Sequence, residues 1–232
     1  MAEIITCKNM NFAYPGSGEK ALDDVSFAIR EGTCAVFEGP NGCGKSTLFR
    51  ILLGLDFPDS GTYRFDGEKI TGEKMKKEDF ASAFHRKIGF VFQNSEVQLF
   101  TDSVENEIAF GLWQLHLPKE EVQERTERAI AEFHLDHVRK RAPFAISGGE
   151  QKRTAMAAVF SMEPKVIVLD EPLSGLDEDG QAFVREFLKK KRDAGTTLVV
   201  ATHSRELAGD LADVRIQMNR NHRIVDIREN RA

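Results

Sequence analysis

The apolar residues of this chain fall in short runs separated by turn residues. Runs at 4–6, 25–29, 33–37 and 63–65, divided by Gly, Pro and Asp, predict strands and make the first third β-rich. From 45 to 53 the spacing turns helical. The runs at 88–92, 166–169 and 197–201 are short, β-branched and apolar throughout, as strands buried on both faces of a parallel sheet are. Helices are expected in the gaps between them. From 103 to 142 the composition shifts towards Glu, Gln, Arg and Lys. There Val122, Ala129, Ile130 and Phe133 leave one apolar helical stripe, so this stretch reads as a helical insertion. Pro118 ahead of Lys119-Glu120-Glu121 marks a helix start, because proline is tolerated in the first turn and early acids complement the helix dipole. A last strand-like run lies at 223–227.

Composition narrows the function classes. A length of 232 residues suits one α/β domain with an inserted subdomain. Lys and Arg number 32 against 37 Asp and Glu, a net charge of −5, which offers no broad cationic surface, so a nucleic-acid partner is not expected. Cys7, Cys34 and Cys43 have neither zinc-site spacing nor the look of a disulfide framework, which suits a reducing compartment. The start Met1-Ala2-Glu3-Ile4-Ile5 lacks the basic and apolar regions of a signal peptide. No apolar run approaches the roughly 18 to 20 residues a spanning helix needs, so any membrane role is expected to be peripheral.

Chemistry enters after the strand at 33–37. It runs into Gly39-Pro40-Asn41-Gly42-Cys43-Gly44-Lys45-Ser46-Thr47 and then a helix, which matches G-x-x-x-x-G-K-[ST] in its required strand-to-helix context. Glycines let backbone N–H groups converge on one point, the helix N-terminus adds partial positive charge, and Lys45 reaches the outer phosphates. Ser46 is placed to ligate Mg²⁺. Cys43 is either a redox-sensitive thiol at a helix N-terminus or a small side chain filling a tight loop.

The apolar strand at 166–169 ends in Asp170-Glu171-Pro172. Beside a phosphate loop, Asp170 is the candidate for the Mg²⁺ shell and Glu171 for polarising the attacking water, where otherwise the two are a solvated strand end. His203 follows the strand at 197–201. Ends of parallel strands share one rim, so His203 is expected near Lys45 and Glu171, within reach of a γ-phosphate.

Ile146-Ser147-Gly148-Gly149-Glu150-Gln151-Lys152-Arg153, placed before the acidic strand, resembles the signature LSGGQ of ABC ATPases. Ser147 and the two glycines open a helix whose N–H groups suit an anion, a second phosphate clamp compatible with ordinary serine capping. Tyr14 resembles the aromatic residue that stacks on adenine, although a plain core or surface aromatic fits the bare sequence equally. Gln93 resembles the Q-loop glutamine, a ligand of nucleotide and metal, and Ser174-Gly175-Leu176-Asp177 the D-loop, with Asp177 at the dimer seam. His203 resembles the switch histidine. The family resemblance implies an α/β P-loop NTPase fold with a mixed central sheet, an N-terminal antiparallel β subdomain and an inserted α-helical subdomain. It places the RecA-like core with the β subdomain at 1–92 and 164–232, and the helical subdomain with the signature at about 94–162. It further implies ATP and Mg²⁺ as cofactors, and a head-to-tail dimer that sandwiches two ATP molecules, each between the phosphate loop of one copy and the signature of the other. The dimer pairs two copies or this chain with a related ATPase, and acts on integral membrane transporter subunits from the cytoplasmic face. Two departures stand in the signature: Ile146 replaces Leu, and Glu150 replaces Gln, which puts a negative charge close to where phosphate is expected.

The stretch from Phe92 to Gly111, with Val97-Gln98-Leu99-Phe100 and Glu107-Ile108-Ala109-Phe110-Gly111, is similar to ATPases of energy-coupling-factor and cobalt/nickel-type importers. In such systems Leu99, Phe100, Phe110 and Trp113 either contact a helix of the membrane subunit or pack the helical subdomain. Metal ion and vitamin both stay open as cargo. The alternatives are a soluble ABC ATPase acting on DNA or ribosomes, another transport subfamily, and a small-molecule kinase. The single phosphate loop and the lack of sustained heptads speak against the first, and the signature against the last.

Overall fold

The computed structural model describes residues 2–230. Two sheets organise it. The first is antiparallel, in the order β2-β1-β4-β5, and consists of β1 (Glu3–Ala13), β2 (Lys20–Arg30), β4 (Ser60–Phe65) and β5 (Glu68–Lys69). The second has the order β10-β9-β3-β8-β7-β6 and holds β3 (Cys34–Glu38), β6 (Ile88–Val91), β7 (Val166–Asp170), β8 (Thr197–Ala201), β9 (Val214–Met218) and β10 (Ile224–Glu229). Strands β9, β3, β8, β7 and β6 run parallel, and β10 closes the edge antiparallel. The sheet is therefore mixed, and all three β-branched runs lie within it. The strand at 88–92 stops at Val91, which leaves Phe92 exposed.

Side chains of the parallel strands alternate between two cores, as a period of two requires. Ala35, Phe37, Val166, Val168, Val199 and Ala201 face the antiparallel sheet and α1 (Lys45–Leu52). Phe37 is fully buried there, edge-on to Phe27 and Phe49 at 5.2 and 5.9 Å between ring centres. Truncating such a ring costs about 3–5 kcal/mol. Val36, Ile167, Leu169, Leu198 and Val200 face the other way, into a core shared with the helical insertion and with α7 (Glu178–Asp193) and α8 (Arg205–Leu211).

Between β5 and β6 lie two short helices, α2 (Gly72–Met75) and α3 (Glu78–His85), the second packing Phe84 against Phe65. The insertion itself contains α4 (Val104–Gln114), α5 (Lys119–Glu132) and α6 (Gly148–Ser161). Val122, Ala129, Ile130 and Phe133 are all buried, as their stripe predicts, and α5 begins directly after Pro118. Helix α6 carries the signature at its start and Met156, Ala157, Val159 and Phe160 in the sheet-facing core, so the signature rests on a buried support. No helix among the described residues is long and apolar enough to cross a membrane.

Candidate functional site

The C-terminal ends of β3, β7 and β8 meet at one rim, which brings sequence-distant residues around a cavity of about 480 Å³. Tyr14, Asn41, Gly42, Gly44, Lys45, Ser46, Thr47, Gln93, Asp170, Glu171 and His203 line it, with Ala21, Ser174 and His222.

The phosphate loop is shaped by close backbone approaches. A Cβ on Gly44, at φ 103°, would lie 2.5 Å from the Ala21 carbonyl oxygen, and one on Gly39 would lie 2.6 Å from that of Met218, so only glycine fits at either position. A Cβ on Gly39 would also meet Cys43 Sγ at 2.9 Å. Cys43 is buried, its thiol filling the inside of the loop. Lys45 is 8% exposed, and its ammonium donates to the carbonyl oxygens of Gly39 at 2.8 Å and Pro40 at 3.3 Å. No side chain caps the start of α1, so its first N–H groups remain open to an anion.

Ser46 Oγ and Asp170 Oδ2 stand 3.3 Å apart. Among the described residues no group of three or more His, Cys, Asp or Glu could hold a metal by itself. Two converging hard oxygens fit an ion such as Mg²⁺, which takes most of its ligands from phosphate and water. Burial raises the Asp170 carboxyl above its ordinary value, against the Ser46 hydroxyl and the charges of Lys45, Lys152 and His203.

Glu171 sits in the left-handed region at φ 44°, a conformation that costs a non-glycine residue energy and clusters at functional sites. Its N–H donates to the Ala201 carbonyl oxygen at 2.9 Å, and its Oε2 accepts from the His203 N–H at 3.3 Å. Oε1 lies 3.4 Å from His203 Nε2 and is buried without a hydrogen-bond partner. Tyr14 is 40% exposed, edge-on to Phe12, with its hydroxyl 3.1 Å from Thr47 Oγ1. The ring is thereby pinned to the phosphate loop while much of its surface stays open.

None of Ser147, Gly148, Gly149, Glu150 or Asp177 lines this cavity. Gly148 lines a neighbouring one of about 340 Å³ with Gln93, Asn94, Lys152, Ser174 and Gly175, and Asp177 caps α7 through the Gly180 N–H at 2.8 Å. Glu150, whose charge the sequence placed close to an expected phosphate, turns its carboxylate onto Ser147 and His137. Its Oε2 accepts from the Ser147 N–H at 2.8 Å and the Ser147 hydroxyl at 2.7 Å, which closes a capping box, and its Oε1 meets His137 Nε2 at 2.7 Å. These bonds hold the Glu150 carboxyl below its ordinary value although burial opposes them.

Three residues escaped sequence reasoning. Ala21 and His222 reach the cavity from positions with no motif. Lys152, 2% exposed, donates to the main-chain carbonyls of Phe92 and Gln93, and it was visible only as part of the signature run. Of the four apolar residues expected to contact a partner or pack the insertion, Phe100, Phe110 and Trp113 are 68%, 42% and 48% exposed.

Comparison with known proteins gives concordant matches. The family described as ABC transporter matches residues 22–174. The nickel import ATP-binding protein NikO of Rhodobacter capsulatus is 41% identical over 216 residues, 92% of this chain and 84% of its own length. Among solved structures, cbiO1 of Clostridium perfringens, described as part of the ABC transporter complex cbiONQ, superposes with a TM-score of 0.87 at 31% identity, covering 99% of this chain and 89% of that one. The ATP-binding cassette MJ0796, solved as a dimer in a post-hydrolysis state with ADP and Pi, superposes with a TM-score of 0.86 at 27% identity, covering 98% and 99%.

Proposed function

The chain belongs to the ABC transporter family as an ATP-binding and ATP-hydrolysing subunit, and from that premise we propose that it works as one half of a head-to-tail ATPase pair driving an importer of a metal ion or vitamin from the cytoplasmic face of a membrane. The observation that carries this reading is a division of space. Lys45, Ser46, Asp170 and Glu171 share one cavity, while the signature helix begins outside it. A second anion-binding helix start that does not serve its own chain's cavity suits the nucleotide of another copy.

Lys45 would exchange the carbonyls of Gly39 and Pro40 for the outer phosphates, and the open N–H groups of α1 would hold the rest of the chain of charge. Tyr14 would carry the adenine. Ser46, Asp170 and Gln93 would hold Mg²⁺, which when bound offsets phosphate charge. Glu171 Oε1 would take the proton of the attacking water, with Oε2 fixed by the His203 amide, and the His203 ring would face the γ-phosphate. Ser147, Gly148, Gly149 and Glu150 would clamp the partner's nucleotide, and Asp177 would sit at the seam.

Coupling to a membrane subunit is supported by the apolar surface on the insertion. Phe100 and Phe144, 68% and 87% exposed, line a cleft of about 360 Å³ with Leu99 and Pro143, and Phe110 lies edge-on to Phe100 at 4.9 Å. An exposed aromatic cluster of this kind marks an interaction site. The importer type rests on the residues around Phe92 to Gly111, and on relatives named for nickel import and for a cbiONQ complex.

The experiment is Ser147→Arg, assayed for ATP binding and for turnover. Binding should survive, because the substitution lies outside the cavity, while hydrolysis should be lost. Turnover equal to that of the unmodified chain would point instead to phosphoryl transfer completed within one polypeptide, as in a kinase.

A further inference from the structure

The β9–β10 hairpin, residues 219–223, is built onto the nucleotide cavity. It leaves the sheet at Met218, whose carbonyl oxygen packs where Gly39 has no side chain. Its other arm is bonded to β2. The Asp23 N–H donates to the His222 carbonyl oxygen at 3.0 Å, and the Arg223 guanidinium pairs with the Asp23 carboxylate. Strand β2 begins directly after the connection that carries Tyr14. The hairpin thus reaches the cavity on the side of Tyr14, whereas Asp170, Glu171 and His203 approach it from β7 and β8.

The turn does not need a histidine. Asn219 organises it, with its side-chain oxygen accepting from the N–H groups of Asn221 and Arg223 at 3.0 and 3.1 Å. His222 contributes only main-chain atoms, at φ 60°, where glycine or asparagine would be less strained. His222 lines the cavity, and its Nδ1 is buried without a hydrogen-bond partner. Nδ1 is turned away from the open space, so any polar contact the ring makes with a ligand is through Nε2, for which the described residues supply no hydrogen bond. An imidazole presented this way offers a flat face and one polar nitrogen, a set that matches a base or ribose. Lys45 and the loop amides already supply what a phosphate needs.

We propose that His222, with Tyr14, forms the nucleoside end of the cavity and contributes to recognition of the base and ribose. The proposal rests on the ATPase reading above and adds to it a residue outside the stretch that the family match covers. In this arrangement the hairpin adjoins the phosphate loop at one end and the nucleoside at the other, so a bound nucleotide bridges the two sheets.

The test compares ATP, ADP and inorganic tripolyphosphate, each with Mg²⁺, on the full chain and on His222→Gly and His222→Gln. Glycine suits the backbone at 222, so the variant keeps the hairpin. Expected is a five- to tenfold weaker affinity for ATP and ADP in His222→Gly, with tripolyphosphate affinity unchanged and with KM for ATP rising more than kcat falls. Partial recovery is expected in His222→Gln. Equal weakening for ATP and tripolyphosphate would make His222 a support of the loop and overturn the proposal, as would unchanged affinity for all three. An unmodified chain that binds tripolyphosphate and ATP equally well would overturn it too, and one that binds no ATP would overturn the ATPase reading with it.

Discussion

Lys152 Nζ donates to the main-chain carbonyl oxygen of Gln93 at 2.8 Å, fastening the helix that starts with Ser147 to the loop that carries Gln93. A second bond, to Phe92 at 3.1 Å, completes the tie. The ammonium is held at a cost. Burial pushes it down to about 8, and the charges of Asp170 and Glu171 offset only part of that. Any movement of the proposed metal ligand Gln93 would therefore pull on the helix start proposed to clamp the other copy's nucleotide.

Lys152→Met should uncouple the two. Bonds from a charged donor contribute about 1.5–3 kcal/mol, so steady-state turnover should fall about tenfold or more. Stability should change little, because the relieved desolvation offsets the lost bonds. Chemical unfolding and ATPase assays on one preparation separate the effects, and full activity in the methionine variant would refute the coupling.

Glu171→Gln leaves a side chain of the same shape that accepts a proton poorly. With a general base typically worth about 10²- to 10⁴-fold, hydrolysis should drop by that order while ATP binding persists. The closed pair should then accumulate with ATP, visible by light scattering. A variant that stays monomeric at every ATP concentration would argue against the sandwich.

Glu150→Gln should raise turnover or leave it unchanged. In the structure the Ser147 hydroxyl donates to Glu150 at 2.7 Å. A carboxylate competes with phosphate for that proton more strongly than an amide does. Glu150→Ala, by contrast, removes half of the capping box and should cost about 0.5–2 kcal/mol in thermal unfolding. A large loss of turnover in the glutamine variant would mean that the Glu150–His137 pair supports the clamp rather than restraining it.

What the sequence revealed divides along a physical line. The meeting of Lys45, Ser46, Asp170 and Glu171 at one cavity was legible because each lies in a contiguous run at the end of a predicted strand. The stripe through Val122, Ala129 and Phe133 was legible because helical burial is periodic. Helix α3 was not, since its one buried residue, Phe84, makes no pattern. The direction of the Glu150 side chain depends on His137 from a separate turn, and the placement of His222 depends on a bond to Asp23 far away in the chain. Such contacts are set by tertiary packing, which a local reading does not contain.

Asp170 supplies a prediction in which pH and ligand act in opposite directions. Its carboxyl is raised by burial, so the folded chain keeps a proton at pH values where the unfolded chain, at about 3.9, has lost it. The folded state binds more protons in that window, and the stability contributed by this group falls as pH rises through it. At neutral pH, without Mg²⁺ or nucleotide, Asp170→Asn should therefore melt higher than the unmodified chain. The advantage should shrink on acidification, as the Asp170 carboxyl takes up its proton. Saturating Mg-ATP should reverse the order, because only the unmodified chain gains the full binding stabilisation, about 2.7 kcal/mol at a hundredfold excess over Kd. Melting curves at pH 5 and 7.5, with and without Mg-ATP, read all four corners. A ligand-free asparagine variant less stable than its parent at neutral pH would show that the neighbouring cations outweigh the burial of this carboxylate.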